Sequence, residues 1–147
     1  RELIFSMAKF WAKMLAKQCQ KYQRIEAADL VTFVPLHSAK KRHRGFNQAA
    51  LIAKFFATEI HIPVAKVLQR VEYTNTQTHL NRLERKKNVA AAFAIRPKQD
   101  IRQKRIILID DVITSGATIE ACATVLKNAG AASVLARSPL RAVATLK

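Results

Sequence analysis

Two adjacent carboxylates, Asp110 and Asp111, directly follow a run of four aliphatic residues at 106–109. The chain has ten acidic residues against twenty-six lysines and arginines, so two neighbouring acids at this position are candidates for chemistry. Such a pair can accept hydrogen bonds from the two hydroxyls of a cis-diol, for example in ribose. The pair is also compatible with a hydrated Mg²⁺ ion, which prefers oxygen ligands.

A short turn of small residues follows the acids and leads into a predicted helix that begins near Thr118. Gly116 lets the backbone approach a ligand because glycine has no Cβ atom. The helix N-terminus offers unpaired N–H groups and the positive end of the helix dipole, which favour a phosphate. Thr114 and Ser115 add hydroxyl donors. From these residues alone, an ordinary strand–turn–helix with an acidic first turn remains the alternative.

A second candidate region is the polar loop 36–46, which follows a short predicted strand at 31–34. Residues 40–44 are five consecutive basic or titratable residues. Such a loop is suited to binding an anion. Its candidate anion-binding residues are His37, Lys41, Arg42 and Arg44. A purely structural hydrogen bond is the alternative for His37, and we expect Lys40 and His43 to be solvated.

A third candidate lies in the polar segment 69–90, where residues 81–89 predict a short helix. Arg82 and Arg85 are three positions apart and would share one face of it. They could close over an anionic group and exclude water. Solvated helix charges are the alternative.

The net charge and the cysteines restrict the classes of function that the sequence allows. The formal net charge of +16 and pI near 10.6 favour an anionic partner, which is nucleic acid, a phosphorylated small molecule or a membrane surface. No apolar run reaches the ~18 residues that span a bilayer, and no signal peptide is evident. Cys19 and Cys122 form no metal-binding motif, so we expect buried free thiols and a cytoplasmic protein.

The elements that must position these residues alternate between strand and helix. Apolar residues at helical spacing predict a helix over 3–22. Lysines at every fourth position from Lys9 to Lys21 predict a solvated face of this helix, and contact of that face with nucleic acid or a membrane is the alternative. Further helices are predicted after an Asn47 cap, over 81–89, and over 118–129. Strands are predicted at the following ranges: 31–34, 64–68, 90–95, 106–109, 133–136 and 142–146. This alternation predicts an α/β fold with a mostly parallel sheet flanked by helices.

We therefore expect a single domain over 1–147, with an N-terminal helical segment at 1–29 and a core at 30–147. The chain begins with Arg1, and an upstream segment is expected. In open parallel sheets, ligands bind beyond the carboxyl ends of the strands. The loops 36–46 and 110–118 both leave such ends.

Residues 106–118 resemble the phosphoribosyl-pyrophosphate (PRPP) motif of type I phosphoribosyltransferases: four apolar residues, two acids, and a Thr/Ser-rich turn with glycine. Other segments resemble the competence protein F branch of that family. The chain departs from the branch at Asn81, where serine is usual, and in lacking its N-terminal zinc-binding cysteines. The segments that carry the resemblance are Val34–His37, Arg44–Ala49, Thr76–Thr78, Leu80–Arg85, Asn88–Val89 and Ala92–Phe93.

The resemblance implies a type I phosphoribosyltransferase-like fold and transfer of phosphoribose from PRPP, with Mg²⁺, to an acceptor that the sequence does not reveal. It implies that Asp110 and Asp111 hold the ribose and that loop 36–44 faces pyrophosphate. Arg82 and Arg85 would belong to a mobile catalytic loop. No residue is implied to bind a metal directly. The implied 5′-phosphate site comprises Thr114, Ser115, Gly116, Ala117 and Thr118.

Three functions remain open. The first is a PRPP-dependent transferase, with a role in DNA uptake implied by the branch. The second is a non-catalytic PRPP sensor that binds single-stranded DNA. The third is a structural or protein-binding domain that uses the lysine face of the first helix, which leaves the Asp110–Asp111 pair without a purpose.

Overall fold

The computed structural model describes residues 1–21, 27–36, 43, 45–71 and 82–141. Within these ranges the helices are α1 (Glu2–Lys21), α2 (Gln48–Ile60), α3 (Arg82–Ala90) and α4 (Ala117–Asn128). The strands are β1 (Leu30–Phe33), β2 (Leu68–Arg70), β3 (Phe93–Ile95), β4 (Arg105–Ile109), β5 (Val112–Ile113), β6 (Ser133–Arg137) and β7 (Leu140–Arg141).

The central sheet has the order β1-β4-β6, and both pairings are parallel. Its register places Phe33 beside Ile109 and Ile109 beside Arg137, so all three strands end at the same edge. The predicted α/β fold with a parallel central sheet and flanking helices is confirmed.

Strand β4 is the buried centre of the fold because its side chains alternate between two apolar layers. Ile107 and Ile109 pack with α1 and α2 on one face. Ile106 and Leu108 pack with α4 on the other face. A strand covered on both faces reads as a continuous apolar run, which is why the sequence predicted it.

Helices α1 and α2 form one of these layers. The buried residues of α1 recur at helical spacing, from Ala8 through Ala12 and Leu15 to Cys19. The Phe5 and Phe55 rings of the two helices meet edge to face, with centroids 6.4 Å apart. The outer side of α1 keeps large apolar side chains in solvent, and Phe10 is 61% exposed.

The predicted strand over 64–68 is wrong for most of its length. Val64 makes a single bridge to Val31, and the next regular strand, β2, begins only at Leu68. The reason is the buried side chain of Thr32. Its hydroxyl donates to the Ala65 carbonyl at 2.9 Å and accepts from the Val67 N–H at 3.4 Å, so a side chain replaces the strand ladder there.

Two smaller pairings complete the described structure. β2 and β3 form an antiparallel pair, and β5 runs parallel to β7. The β5–β7 pair was not predicted, and the strand expected at 142–146 lies outside the described residues. Both cysteines are buried and free, as expected. In the described part of the chain, no helix combines the length and apolar character needed to cross a bilayer.

Candidate active site

The carboxylate pair lies where β4 ends, at the shared edge of the parallel sheet. The Asp110 N–H donates to the Arg137 carbonyl at 3.1 Å, which extends the β4–β6 ladder by one residue. The Asp110 carboxylate then accepts the Asp111 N–H at 2.9 Å, and the Asp111 carboxylate accepts the Val112 N–H at 2.9 Å. Each acid therefore bonds the next backbone N–H, which fixes both side chains at the start of the turn.

The turn between β5 and α4 forms a small hollow of about 30 Å³, lined by Asp110 and residues 112–119. Gly116 has a φ of 81°, in the left-handed region that favours glycine. It precedes α4 without a side-chain cap, while Ser115 Oγ accepts the Ala117 N–H at 3.3 Å. The first N–H groups of a helix have no intrahelical partner, so this hollow faces hydrogen-bond donors and the positive end of α4.

A larger cavity of about 190 Å³ lies beside the hollow, and Asp110 and Thr118 border both. Its opposite wall is the start of α2, from Phe46 to Ala49. The positive ends of two helices thus face a cavity that holds two carboxylates. The other lining residues are Val34, Pro35, Leu36, Arg70 and Asp111.

Arg70 is a cavity residue that the sequence analysis missed. It ends β2, its guanidinium lies 5.3 Å from the centre of the Phe93 ring, and it is the one cationic side chain among the described residues that line the cavity. The antiparallel β2–β3 pair brings Phe93 beside it. No local motif marks Arg70, because its position depends on a pairing between distant segments.

The cavity perturbs the titration of Asp110. Burial raises the pKa of Asp110 to about 7, and the neighbouring Asp111 carboxyl adds to the rise. The hydrogen bond from the Asp111 backbone N–H opposes it. A carboxyl that titrates near neutral pH in a cleft is typical of a functional site.

These features match a known family. The phosphoribosyl transferase domain model matches residues 47–139, which include β4, the acidic pair and α4. The chain belongs to this family.

Comparisons with individual proteins agree with this assignment. The domain is 28% identical over 119 residues to Competence protein F of Haemophilus influenzae, covering 80% of this chain and 52% of the relative. It is 33% identical over 111 residues to the DNA utilization protein YhgH of Salmonella typhimurium, covering 75% and 48%. The chain spans about half the length of these curated relatives. The resemblance to the competence protein F branch is thereby confirmed.

The fold also matches a solved structure, the glutamine PRPP amidotransferase from B. subtilis complexed with ADP and GMP. The TM-score is 0.61 at 24% identity, over 92% of this chain and 26% of that one. At this identity the similarity supports the phosphoribosyltransferase fold.

Part of the predicted site of this phosphoribosyl transferase domain falls outside the described residues. His37, Lys41, Arg42 and Arg44 lie outside the described residues, as do the side chains of Arg82 and Arg85. The backbone of the two latter residues lies in α3, so the predicted helix there is confirmed. His43 is exposed, as expected.

Cys122 lies in the apolar layer behind the site. Its thiol is fully buried on α4, and burial followed by the charge of Asp110 raises its pKa to about 12. The thiol therefore stays protonated at neutral pH, and it contributes packing rather than nucleophilic chemistry.

Proposed function

We propose that this domain binds PRPP and transfers its phosphoribosyl group to an acceptor. The observation that carries the proposal is the arrangement at the end of β4. There, two carboxylates, a left-handed glycine and a helix N-terminus border two adjoining spaces. A sugar phosphate has hydroxyls for the carboxylates and an anionic group for the helix end.

In this proposal, Asp110 and Asp111 accept hydrogen bonds from the ribose hydroxyls. Thr114, Ser115, Gly116, Ala117 and Thr118 surround the 5′-phosphate. All five of these residues line the small hollow, and Thr118 also borders the larger cavity. As the C1′–O bond breaks, positive charge develops on the sugar, and fixed carboxylates nearby stabilise that charge.

The leaving pyrophosphate requires positive charge. The electron pair of the C1′–O bond leaves with the pyrophosphate oxygen, and a lone pair of the acceptor forms the new bond to C1′. We assign the leaving-group role to loop 36–44, through His37, Lys41, Arg42 and Arg44. Arg82 and Arg85 of α3 would close over the site. A preorganised contact that strengthens as the bond breaks is worth about 2–4 kcal/mol in rate.

Mg²⁺ fits this site as a companion of PRPP. The described residues contain no cluster of three or more His, Cys, Asp or Glu side chains suited to a metal, but they do present the Asp110–Asp111 pair. Mg²⁺ usually binds one or two carboxylates together with substrate phosphates. When bound with PRPP, it would offset the charge of the pyrophosphate.

We propose a role in DNA uptake, because the relatives are named as a competence protein and a DNA utilization protein. A PRPP sensor that binds single-stranded DNA is the second candidate, favoured by the +16 net charge. It is also favoured by the exposed lysines of α1 beside the exposed Phe10. Lysines neutralise phosphates, and exposed aromatic rings stack on bases.

Isothermal titration with PRPP and Mg²⁺ tests the proposal directly. We expect binding by the wild type and none by the double variant Asp110→Ala/Asp111→Ala. Equal binding by both proteins would contradict the assigned site. Pyrophosphate release then separates a transferase from a sensor.

A fluorescence titration with a single-stranded oligonucleotide at several salt concentrations tests the second candidate. Its log–log salt slope should be about −0.7 per phosphate contact. Undetectable or salt-insensitive binding would exclude that candidate.

A further inference from the structure

Phe93 and Arg70 lie opposite each other on the antiparallel β2–β3 pair. Directly paired residues of such strands project their side chains to the same face of the sheet, and the Arg70 guanidinium lies over the Phe93 ring, 5.3 Å from its centre. The Val71 N–H donates to the Ala92 carbonyl at 2.7 Å, so the pairing continues one residue beyond Arg70. The backbone that carries both side chains is therefore held by the strand pairing.

The Phe93 side chain is anchored in the interior, whereas Arg70 is exposed. Phe93 is 5% exposed and belongs to the apolar layer that contains Ile106 and Leu108. An exposed arginine loses conformational entropy when one position is imposed on it, and stacking on a buried ring offsets part of that cost. The ring thus favours one location of the guanidinium, at the wall of the larger cavity.

The contact with Phe93 leaves the N–H donors of Arg70 available for an anion. A ring that stacks on a guanidinium covers its face and does not use its N–H groups. Arg70 shares the larger cavity with Asp110 and Asp111, yet none of the ion pairs within the described residues joins it to either acid. Such a guanidinium can bind a phosphate through two parallel N–H···O bonds.

The position of Arg70 indicates which anionic group it would meet. Arg70 lines the larger cavity, whereas the small hollow is lined by Asp110 and residues 112–119. In the proposed function, the hollow takes the 5′-phosphate at the N-terminus of α4. The pyrophosphate is attached to C1′, across the ribose ring from the 5′-phosphate, so it would extend from the carboxylates into the larger cavity.

We propose that Phe93 is a positioning residue: its ring holds Arg70 at the wall of the larger cavity, where the guanidinium binds the pyrophosphate group of PRPP. The choice of ligand rests on the proposed function, whereas the contact between the two side chains does not. Phe93 itself touches no ligand in this proposal. It acts through Arg70, and this distinguishes its effect from that of an ordinary core residue.

Five variants separate positioning from packing. Phe93→Leu keeps an apolar side chain in the layer but removes the ring, and Phe93→Tyr keeps the ring. Arg70→Gln removes the cation, alone and in combination with Phe93→Leu. Ile101→Val is the matched control, because Ile101 is buried in the same apolar layer and does not line the cavity.

Isothermal titration of each protein uses three probes: PRPP with Mg²⁺, inorganic pyrophosphate with Mg²⁺, and ribose 5-phosphate. For Phe93→Leu we expect PRPP and pyrophosphate to bind about two- to fivefold more weakly, the factor that one exposed cation–π contact produces. Ribose 5-phosphate should bind as it does to the wild type. In the Arg70→Gln background, Phe93→Leu should cause no further loss, because the two side chains act as one unit.

The remaining variants should behave differently from Phe93→Leu. Phe93→Tyr should retain the wild-type affinities for all three probes, because the ring is still present. Ile101→Val should lower the Tm, since a buried methyl group is lost, and leave all three affinities unchanged. The loss of affinity would then follow the ring and not the stability of the layer.

A measurement without ligand tests the contact itself. In a proton–nitrogen NMR spectrum, the Nε–H signal of Arg70 is assigned by its loss in Arg70→Gln. The ring current of Phe93 should shift this signal upfield in the wild type, in Phe93→Tyr and in Ile101→Val. In Phe93→Leu the signal should return to the position of an unperturbed arginine.

Wild-type affinity for PRPP and pyrophosphate in Phe93→Leu would overturn the proposal. So would an equal loss for ribose 5-phosphate, which would show that the substitution disturbs the whole site. If the wild type binds neither PRPP nor pyrophosphate, the proposed function fails, and the role of Arg70 towards pyrophosphate fails with it. The Nε–H signal alone then decides whether Phe93 holds Arg70.

Discussion

Substituting Asp110 by asparagine should stabilise the fold while weakening its ligand site. The pKa of Asp110 rises from 3.8 to about 7, roughly three units, which corresponds to ~4 kcal/mol of preference for the neutral side chain. Because Asp110 is partly exposed, solvent screening reduces this figure, and we take about half, ~2 kcal/mol. Asparagine is neutral at all pH values, and its Oδ1 can still accept the Asp111 N–H.

The stability that Asp110→Asn gains over the wild type increases with pH. Between pH 3.8 and about 7 the folded protein keeps the Asp110 proton, whereas the unfolded chain releases it. The free energy of unfolding of the wild type therefore falls as pH rises from 3.8 to about 7, and the destabilisation by Asp110 stays constant at higher pH. The Tm advantage of Asp110→Asn should be absent near pH 4 and reach about 4–8 °C at pH 8.

Thermal unfolding followed by circular dichroism from pH 4 to pH 8 measures this difference. Asp29→Asn is the control of opposite sign, because hydrogen bonds from Arg105 lower the pKa of Asp29 to about 2. That carboxylate stabilises the fold above pH 3.8 and loses its effect as pH falls towards 2, so Asp29→Asn should have a lower Tm at pH 7.

A Tm for Asp110→Asn below that of the wild type at pH 8, or a pH-independent difference, would refute the reasoning. PRPP affinity of the same variant should fall by about ten- to a hundredfold, because a charge-assisted hydrogen bond is lost.

Three further predictions concern the surroundings of the carboxylates. Gly116→Ala should lower the free energy of unfolding by about 1 kcal/mol because of its positive φ, since open space surrounds the added Cβ. The same substitution should weaken PRPP binding, and differential scanning calorimetry and isothermal titration measure the two effects. Arg70→Gln should weaken PRPP binding by about tenfold and reduce its salt dependence, with Arg70→Lys intermediate, because a cavity-lining cation is lost; equal affinities would place Arg70 outside the site. Cys122 should resist iodoacetamide at pH 8 in the folded protein and react on unfolding, as followed by mass spectrometry, because its pKa is about 12; fast labelling of the native state would contradict its burial.

The elements nearest the acidic pair could be predicted because local signals agree there. Residues 106–109 of β4 are all apolar, and Asn47 caps α2 as its residue type indicates. Gly116 lies in the turn before α4, as predicted, whereas its left-handed φ of 81° was not part of that prediction. For Asn47 and Gly116 the decisive feature lies within a few residues of the sequence signal. The burial of β4 depends on distant helices, but a strand covered on both faces is marked by its own apolar run.

The features that sequence reasoning missed depend on contacts between distant segments. The segment 64–67 has strand-like residues, but the Thr32 hydroxyl takes over its backbone partners from more than thirty positions away. Arg70 enters the cavity wall only because β2 pairs with β3. β5 and β7 have two residues each, which is too short for a periodic pattern.

The alternating burial of β4 has a consequence for how the domain tolerates change. Neighbouring residues such as Leu108 and Ile109 belong to separate apolar layers. Substitutions beneath α4 and beneath α1 that lie more than about 10 Å apart should therefore have additive effects on the free energy of unfolding. Both layers nevertheless end at the same pair of acids. Substitutions could therefore accumulate in either apolar layer without disturbing the other, provided that the carboxyl end of β4 keeps its position.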